Sequence, residues 1–168
     1  MEPRAPAESS APDSAEPDSA DLARIHQLYN RQSHLIDGGR AAAWAATFTA
    51  DATFDSPSYP APVTGTAALT AFAERFTATA EADGVVRRHV VTNLVAETEG
   101  PDALRVLGYL QIVATPRGGE PRTERLTTLT DRVVRDGGTW RIAARRIRRD
   151  DTGATDGTDE TPAPGGGS

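Results

Sequence analysis

His89 stands where a proton-transfer group would be useful. It lies at the start of the apolar, β-type run RRHVVTNLV, residues 87–95. A neutral imidazole, with a pKa of about 6.5 in water, can take a proton from a C–H acid or a hydroxyl and later return it. The other interpretation is a histidine at a strand edge that hydrogen-bonds to backbone or solvent. The residue and its neighbours leave both interpretations open.

Asp37 is the second residue that could take part in acid–base chemistry. It precedes Gly38 and Gly39 at the end of a helical pattern. An aspartate there can simply start a turn, because its side chain readily accepts nearby backbone N–H groups. A negative charge at a helix C-terminus nevertheless opposes the helix dipole, so a purely structural position would more naturally hold Asn or Gly. Beside an imidazole, such a carboxylate would fix the tautomer and stabilise the imidazolium.

Three further polar side chains are candidates for substrate binding. Tyr29 lies on the inner face of the first predicted helix, where its hydroxyl needs a partner and could reach a ligand oxygen, although core packing is the preferred explanation. Tyr59 lies in a proline-rich loop that could cover a pocket. Asn93 has the same strand parity as His89 and could donate to a ligand carbonyl.

The aromatic residues are assigned to the core and to the wall of a pocket. Trp44 and Phe72 are expected to contact the substrate, and an apolar lining would favour a flat, hydrophobic ligand with a few oxygen substituents. The remaining members of this set are Phe48, Phe54, Phe76 and Trp140.

The amino-acid composition excludes several catalytic groups and metal sites. The chain has no cysteine, so it has no thiolate nucleophile or cysteine metal site, and all 18 basic residues are arginine, which excludes a Schiff-base lysine. No histidine and carboxylate grouping has metal-ligand spacing, so we predict neither a metal nor another cofactor. The arginine-rich segment 141–149, RIAARRIRR, is interpreted as a solvated strand edge, and no nucleic-acid partner is predicted.

The two ends of the chain differ from its middle. Residues 1–20 and 151–168 are rich in Pro, Ala, Ser, Gly and acids, and we predict both as disordered tails. They hold nine of the 24 acidic residues, so the net charge of −6 becomes about +2 for the predicted domain, residues 21–150. With no signal peptide or long apolar segment, we expect a soluble, cytoplasmic protein without a membrane partner.

The middle of the chain changes from helical to strand periodicity after Gly84. We predict an α+β domain in which a curved antiparallel sheet packs against three N-terminal helices. Strand 103–115 is apolar on both parities, so one face should meet the helices and the other the sheet of a second copy in a homodimer. The predicted helices are 21–37 (with Asp21 as N-cap), 40–48 and 66–80, and the strands are 52–57, 85–98, 103–115, 122–134 and 139–148.

This order of elements resembles the nuclear transport factor 2-like superfamily, and within it the SnoaL-like branch of polyketide cyclases and scytalone dehydratase. The resemblance is carried by IHQLYNRQSHLIDGGRAAAWAATFTADATFD, VTGTAALTAF, RRHVVTNLV, LRVLGYLQIVA and GGTWRIAARR, in that order. It implies a cone-like fold with a pocket between a bent sheet and the helices. It also implies that Asp37 and His89 match an aspartate and a histidine that work together on the substrate.

The same resemblance implies a function, and this sequence departs from the family's pattern at one position. Leu110, which we expect to contact the substrate, takes the place of a second histidine in the dehydratase pattern, and this argues against scytalone as the substrate. We expect a cofactor-independent dehydratase, cyclase or isomerase acting on a polyketide-like or aromatic polycyclic intermediate of secondary metabolism. The alternatives are a non-catalytic small-molecule binding protein and an assembly subunit like the β subunits of ring-hydroxylating dioxygenases. An epoxide hydrolase of the limonene type is disfavoured, because no Arg and paired-Asp set is evident on the strands.

Overall fold

A computed structural model describes residues 16–150 of the chain. Two helices, a short strand and a third helix precede the four long strands, as predicted, and most boundaries fall within two residues of the expected ones. The tails predicted at 1–20 and 151–168 lie outside the described residues except for 16–20. The elements in chain order are α1 Ser19–Asp37, α2 Ala41–Ala45, β1 Phe48–Asp55, β2 Val63–Thr64, α3 Thr66–Ala82, β3 Val85–Gly100, β4 Ala103–Pro116, β5 Arg122–Asp136 and β6 Thr139–Arg149.

The strands form one six-stranded sheet in the order β2-β1-β6-β5-β4-β3. Strands β3 to β6 make the expected antiparallel meander, which confirms an α+β fold with a curved sheet packed against helices. The sheet is not wholly antiparallel, because β1 pairs with β6 in parallel. Strand β2, which the sequence did not predict, adds a short antiparallel edge to β1.

The predicted second helix, 40–48, is too long. Helix α2 ends at Ala45, and the Thr47 hydroxyl donates to the Trp44 carbonyl at 2.6 Å. The carbonyl of Thr47 then accepts the backbone N–H of Ile142 at 3.1 Å. These bonds carry the chain directly into β1, so Phe48 belongs to the sheet and packs edge-on against Trp44 at 4.8 Å between ring centroids.

The prediction of Asp21 as N-cap of the first helix is wrong. Asp18 is the N-cap, and its carboxylate accepts the backbone N–H of Asp21 at 2.8 Å. Asp21 instead turns toward the end of the sheet, where it accepts the Trp140 indole N–H at 2.9 Å and an Arg135 N–H at 2.6 Å. It therefore ties the start of α1 to β5 and β6.

Replacing Asp21 by Ala should lower the free energy of unfolding by about 1–3 kcal/mol, because the buried Trp140 N–H loses its acceptor. The hydrogen bond from Trp140, with those from Arg24 and Arg135, lowers the pKa of Asp21 below its ordinary 3.8, although burial acts in the opposite direction. The stabilisation is therefore complete well above pH 4 and is lost as the pH falls through the lowered pKa.

Urea unfolding of both proteins at several pH values checks this prediction. The difference in unfolding free energy should be constant between about pH 7 and pH 5 and should shrink below about pH 4. Glu74→Ala, on an exposed position of α3, serves as control and should change stability by no more than about 0.5 kcal/mol. A difference that grows on acidification would contradict the assigned role of Asp21.

Segment 141–149 is not the solvated strand edge that the sequence suggested. It forms β6, which lies between β1 and β5 in the sheet. Trp140, Ile142, Arg145 and Ile147 of β6 are buried and Arg146 is exposed, because a register shift between Ile142 and Ala144 changes the parity of the strand. A positive charge is thus built into the interior of the sheet.

One core holds the helices on the inner face of the sheet. Ile25 and Leu35 of α1, Trp44 of α2 and Leu69 of α3 pack against alternate residues of the long strands. The strand residues in this core include Leu104, Val106, Leu129, Val133 and Ile142. Within residues 16–150, no helix is both long and apolar enough to cross a membrane.

Candidate active site

The structure brings Asp37 and His89 into direct contact. Asp37 is the last residue of α1, and His89 lies near the start of β3. The Nδ1 atom of His89 is 2.7 Å from Oδ1 of Asp37, and the backbone N–H of His89 donates to Oδ2 of the same carboxylate at 3.0 Å. Their side chains are 11% and 9% exposed. Two hydrogen bonds from one residue hold the carboxylate, so this pair has a defined orientation.

This geometry fixes the tautomer of a neutral His89. An ionised carboxylate only accepts hydrogen bonds, so the proton of the imidazole must lie on Nδ1. The lone pair of Nε2 is then available as a base. The ring also packs against Phe76, with 4.8 Å between ring centroids, which restricts its rotation. Orientation by a carboxylate and by an aromatic ring is what a base-plus-orienter pair requires.

His89 lines a cavity between the inner face of the sheet and the three helices. Most of the wall is apolar and aromatic, which suits a flat, hydrophobic molecule. Serine, threonine and glutamine side chains supply neutral polar groups, and three arginines supply positive charge. The apolar lining residues are Ile36, Trp44, Phe54, Pro57, Phe72, Phe76, Val91, Leu110, Ile112 and Ile147, and the polar ones are Gln32, Ser33, Ser56, Ser58, His89, Arg125, Thr127, Arg145 and Arg149.

Three of the residues predicted to bind substrate, Trp44, Phe72 and Leu110, line this cavity together with His89. The rings of Trp44 and Phe72 are stacked at 5.6 Å between centroids. Tyr59 lies behind this wall, with its ring 5.4 Å from that of Phe72 and its hydroxyl accepting an Arg75 N–H at 3.4 Å. The loop that carries Tyr59 does reach the cavity, through Pro57 and Ser58.

Tyr29 does not reach the cavity, which corrects its assignment as a substrate-binding residue. It is completely buried and donates its hydroxyl to Oδ2 of Asp131 at 2.6 Å. Burial, reinforced by the negative charge of Asp131, raises the pKa of Tyr29 well above its ordinary value of 10.0. The partner that its hydroxyl needs is therefore a side chain of β5.

Asn93 also lies away from the cavity, so its predicted alignment with His89 is wrong. The pairing of β3 with β4 shifts between Thr92 and Val95, and Asn93 has a positive φ of 55°. A bulge of this kind reverses the parity of the residues that follow it. Asn93 consequently lies on the outer face of the sheet, beside Val95 and Tyr109.

The sequence prediction missed a buried ion pair beside this cavity. Nε of Arg145 is 3.0 Å from Oδ1 of Asp131, and Nη2 is 2.6 Å from Oδ2. Burial opposes the charge of Arg145, but the carboxylate of Asp131 outweighs this effect and raises its pKa. Because Nε and Nη2 are bound to Asp131, the third guanidinium nitrogen is the one without a hydrogen bond to that carboxylate.

A pattern in the sequence could have revealed this pair. Thr127, Leu129, Asp131 and Val133 alternate along β5 and are all buried. A carboxylate that shares its parity with apolar residues is expected to be buried, and burial requires a charged partner. Among residues 16–150, no three histidine or acidic side chains lie close enough together to hold a metal ion.

Comparison with a family model identifies the domain. The model of the SnoaL-like domain matches residues 17–146. The match includes α1, all of β3, β4 and β5, and most of β6. Asp37, His89, Asp131 and Arg145 therefore all lie inside the matched region.

Solved structures with the same fold come from several bacteria. Aln2 from a Streptomyces species is 29% identical, over 82% of this chain and 96% of its own, with a TM-score of 0.74. A protein from Catenulispora acidiphila, solved in complex with S-DNPA, is 27% identical over 79% of this chain and 96% of its own, with a TM-score of 0.69. ActVI-ORFA from Streptomyces coelicolor is 25% identical over 79% of this chain and 98% of its own, with a TM-score of 0.71. The comparison with curated proteins found no match.

Proposed function

Because the chain belongs to the SnoaL-like domain family, we propose that it is a cofactor-independent acid–base enzyme that acts on a polyketide-like or aromatic polycyclic ketone. The observation that carries this proposal is the contact of 2.7 Å between Asp37 and His89 at the wall of an apolar cavity. The complex of the Catenulispora acidiphila protein with S-DNPA supports it, because a protein of this fold there binds a ligand.

The first step is removal of a proton from a carbon next to a carbonyl. The Nε2 lone pair of His89 takes the proton, the C–H electrons form the enolate, and the negative charge moves to the carbonyl oxygen. Asp37 stabilises the resulting imidazolium through its bond to Nδ1. The imidazolium then protonates a hydroxyl on the β-carbon, which leaves as water as the enolate collapses. Where a further double bond makes the enolate a dienolate, the imidazolium instead protonates the γ-carbon and so shifts the double bond. Attack of the enolate on a second carbonyl would instead close a ring.

The developing enolate oxygen needs a positive or hydrogen-bonding group. The three polar residues predicted from the sequence to bind substrate, Tyr29, Tyr59 and Asn93, do not line the cavity, whereas Arg145 does. Asp131 accepts hydrogen bonds from Nε and Nη2 of Arg145, which fixes the position of the guanidinium. The third nitrogen makes no hydrogen bond to Asp131. Arg145 is therefore the proposed electrophilic group.

The proposal is tested by exchange of hydrogen for deuterium next to a carbonyl. In D2O the purified protein should accelerate exchange of the α-hydrogens of 2-tetralone, a bicyclic aromatic ketone, above the buffer rate, as measured by proton NMR. This assay isolates proton abstraction from the later steps, so it applies whether the enzyme is a dehydratase, a cyclase or an isomerase. If the protein binds 2-tetralone without accelerating exchange, a small-molecule binding protein becomes the better description.

We also propose that the outer face of the sheet forms a homodimer. Three large apolar side chains on this face are about half exposed: Val95 at 52%, Tyr109 at 51% and Leu126 at 53%. They belong to the adjacent strands β3, β4 and β5, so they form a patch on one surface. An apolar patch of this kind is suited to a self-complementary contact about a two-fold axis.

Replacing Leu126 by Glu should convert the dimer to a monomer at micromolar concentration. A carboxylate on each copy would be desolvated at the two-fold contact without a partner. Sedimentation velocity between about 1 and 100 μM measures the change, with Gln27→Glu on the exposed side of α1 as a control of equal charge. Wild-type protein that sediments as a monomer throughout this range would refute the dimer.

A further inference from the structure

The wall of the cavity contains arginine but, among residues 16–150, no acidic side chain. Arg125, Arg145 and Arg149 line it, and none of the lining residues in the described part of the chain is an aspartate or glutamate. Arg145 is paired with Asp131, behind the wall. Arg125 is different, because within residues 16–150 it makes no salt bridge.

Arg125 lies at the mouth of the cavity, because it is both exposed and part of the cavity wall. It lies on β5 opposite Ile112 of β4, and Ile112 also lines the cavity. Its Nη1 atom donates to the hydroxyl of Ser58, in the loop after β1, at 2.9 Å. The adjacent Glu124 makes no hydrogen bond or salt bridge to it, because both oxygens of that carboxylate accept hydrogen bonds from Arg87, at 2.7 and 3.0 Å, and its charge is shared between the two arginines.

We propose that Arg125 is a specificity residue that binds a carboxylate on the substrate, so that the enzyme acts on aromatic ketones that are also acids. A guanidinium presents parallel N–H donors that match the two oxygens of a carboxylate. Arg125 lies at the mouth, whereas Trp44 and Phe72 form the apolar wall. A molecule with an aromatic body and an acidic side chain fits both parts.

This inference rests on the proposed function only in assuming that the substrate is a ketone. The carboxylate is argued from Arg125 alone. The apolar wall and Arg125 determine which molecules bind, whereas Asp37 and His89 determine whether a proton is removed. Binding of an unreactive aromatic acid therefore tests the substrate class without testing the chemistry.

The test compares 2-naphthoate with its neutral amide, 2-naphthamide. NMR titration at low ionic strength should give a Kd for the carboxylate at least about tenfold lower than for the amide, the size expected for one charged hydrogen-bonded pair. Arg125→Gln should reduce this preference to within about twofold. Arg122→Gln, which removes the same charge three residues away on β5 but outside the cavity wall, should preserve it.

The outcomes separate the two proposals. Equal binding of both probes by the wild-type protein, no binding of either, or a preference that survives Arg125→Gln would overturn the role of Arg125. His89→Ala should keep the preference for the carboxylate, because it leaves Arg125 in place. Loss of 2-tetralone exchange in His89→Ala, together with equal binding of the two probes by the wild type, would leave the acid–base mechanism standing and the acidic substrate refuted.

Discussion

His89→Ala is expected to reduce the rate of protein-catalysed exchange of 2-tetralone by at least about 100-fold, because a positioned general base contributes roughly 10² to 10⁴ to a proton transfer. Nε2 of His89 is the base, and no other histidine lines the cavity in the described part of the chain. His26 and His34 both lie on α1, outside the cavity wall. The variant should still fold, because the backbone N–H of residue 89 continues to donate to the carboxylate of Asp37.

The matched control for this variant is His34→Ala. It removes the same side chain from a position outside the cavity wall, three residues before Asp37, and it should leave the exchange rate within about twofold and change stability by no more than about 0.5 kcal/mol. A folded His89→Ala protein that retains the wild-type exchange rate would refute the acid–base mechanism. Far-UV circular dichroism and the urea midpoint establish that the variant is folded.

Asp37→Asn should lower the same rate by a different route. An asparagine can offer its amide N–H₂ to the ring, which favours the tautomer with the proton on Nε2 and removes the base from the cavity. It also removes the negative charge that stabilises the imidazolium. We expect a loss of at least about tenfold, with a smaller effect on the binding of 2-naphthoate than on exchange.

The contact between Asp37 and His89 shows what the sequence could and could not predict. Each residue could be singled out by its type and local position. Their contact, across 52 residues of sequence, depends on where the end of α1 meets the start of β3, and no local spacing contains that information. Only the resemblance of the whole order of elements to a known family predicted the pair.

The errors have local physical causes. Parity along a strand predicts which side a residue faces only while the pairing stays in register. The bulge after Thr92 broke that register and moved Asn93 to the outer face, and no proline or glycine signals it in the sequence. The parallel pairing of β1 with β6 is likewise a long-range contact, which turned a predicted edge into an interior strand.

The buried group formed by Tyr29, Asp131 and Arg145 should be the most sensitive point for stability. Asp131 accepts from both other residues, and its side chain is completely buried. Removing one member of a buried ion pair leaves the other charge without compensation, which typically costs about 3–5 kcal/mol. Asp131→Ala is therefore expected to lower the free energy of unfolding by about that amount, measured by urea unfolding.

Three companion variants make this prediction testable even if Asp131→Ala fails to fold. Tyr29→Phe removes one hydrogen bond and should cost about 1–2 kcal/mol. Asp55→Ala breaks the partly exposed pairs with Arg146 and Arg148 and should cost no more than about 1 kcal/mol. Combining Asp131→Ala with Arg145→Met removes both charges and should recover most of the lost stability, because no uncompensated charge remains in the interior. If the double variant is less stable than Asp131→Ala alone, the loss comes from packing around Arg145 rather than from its unpaired charge.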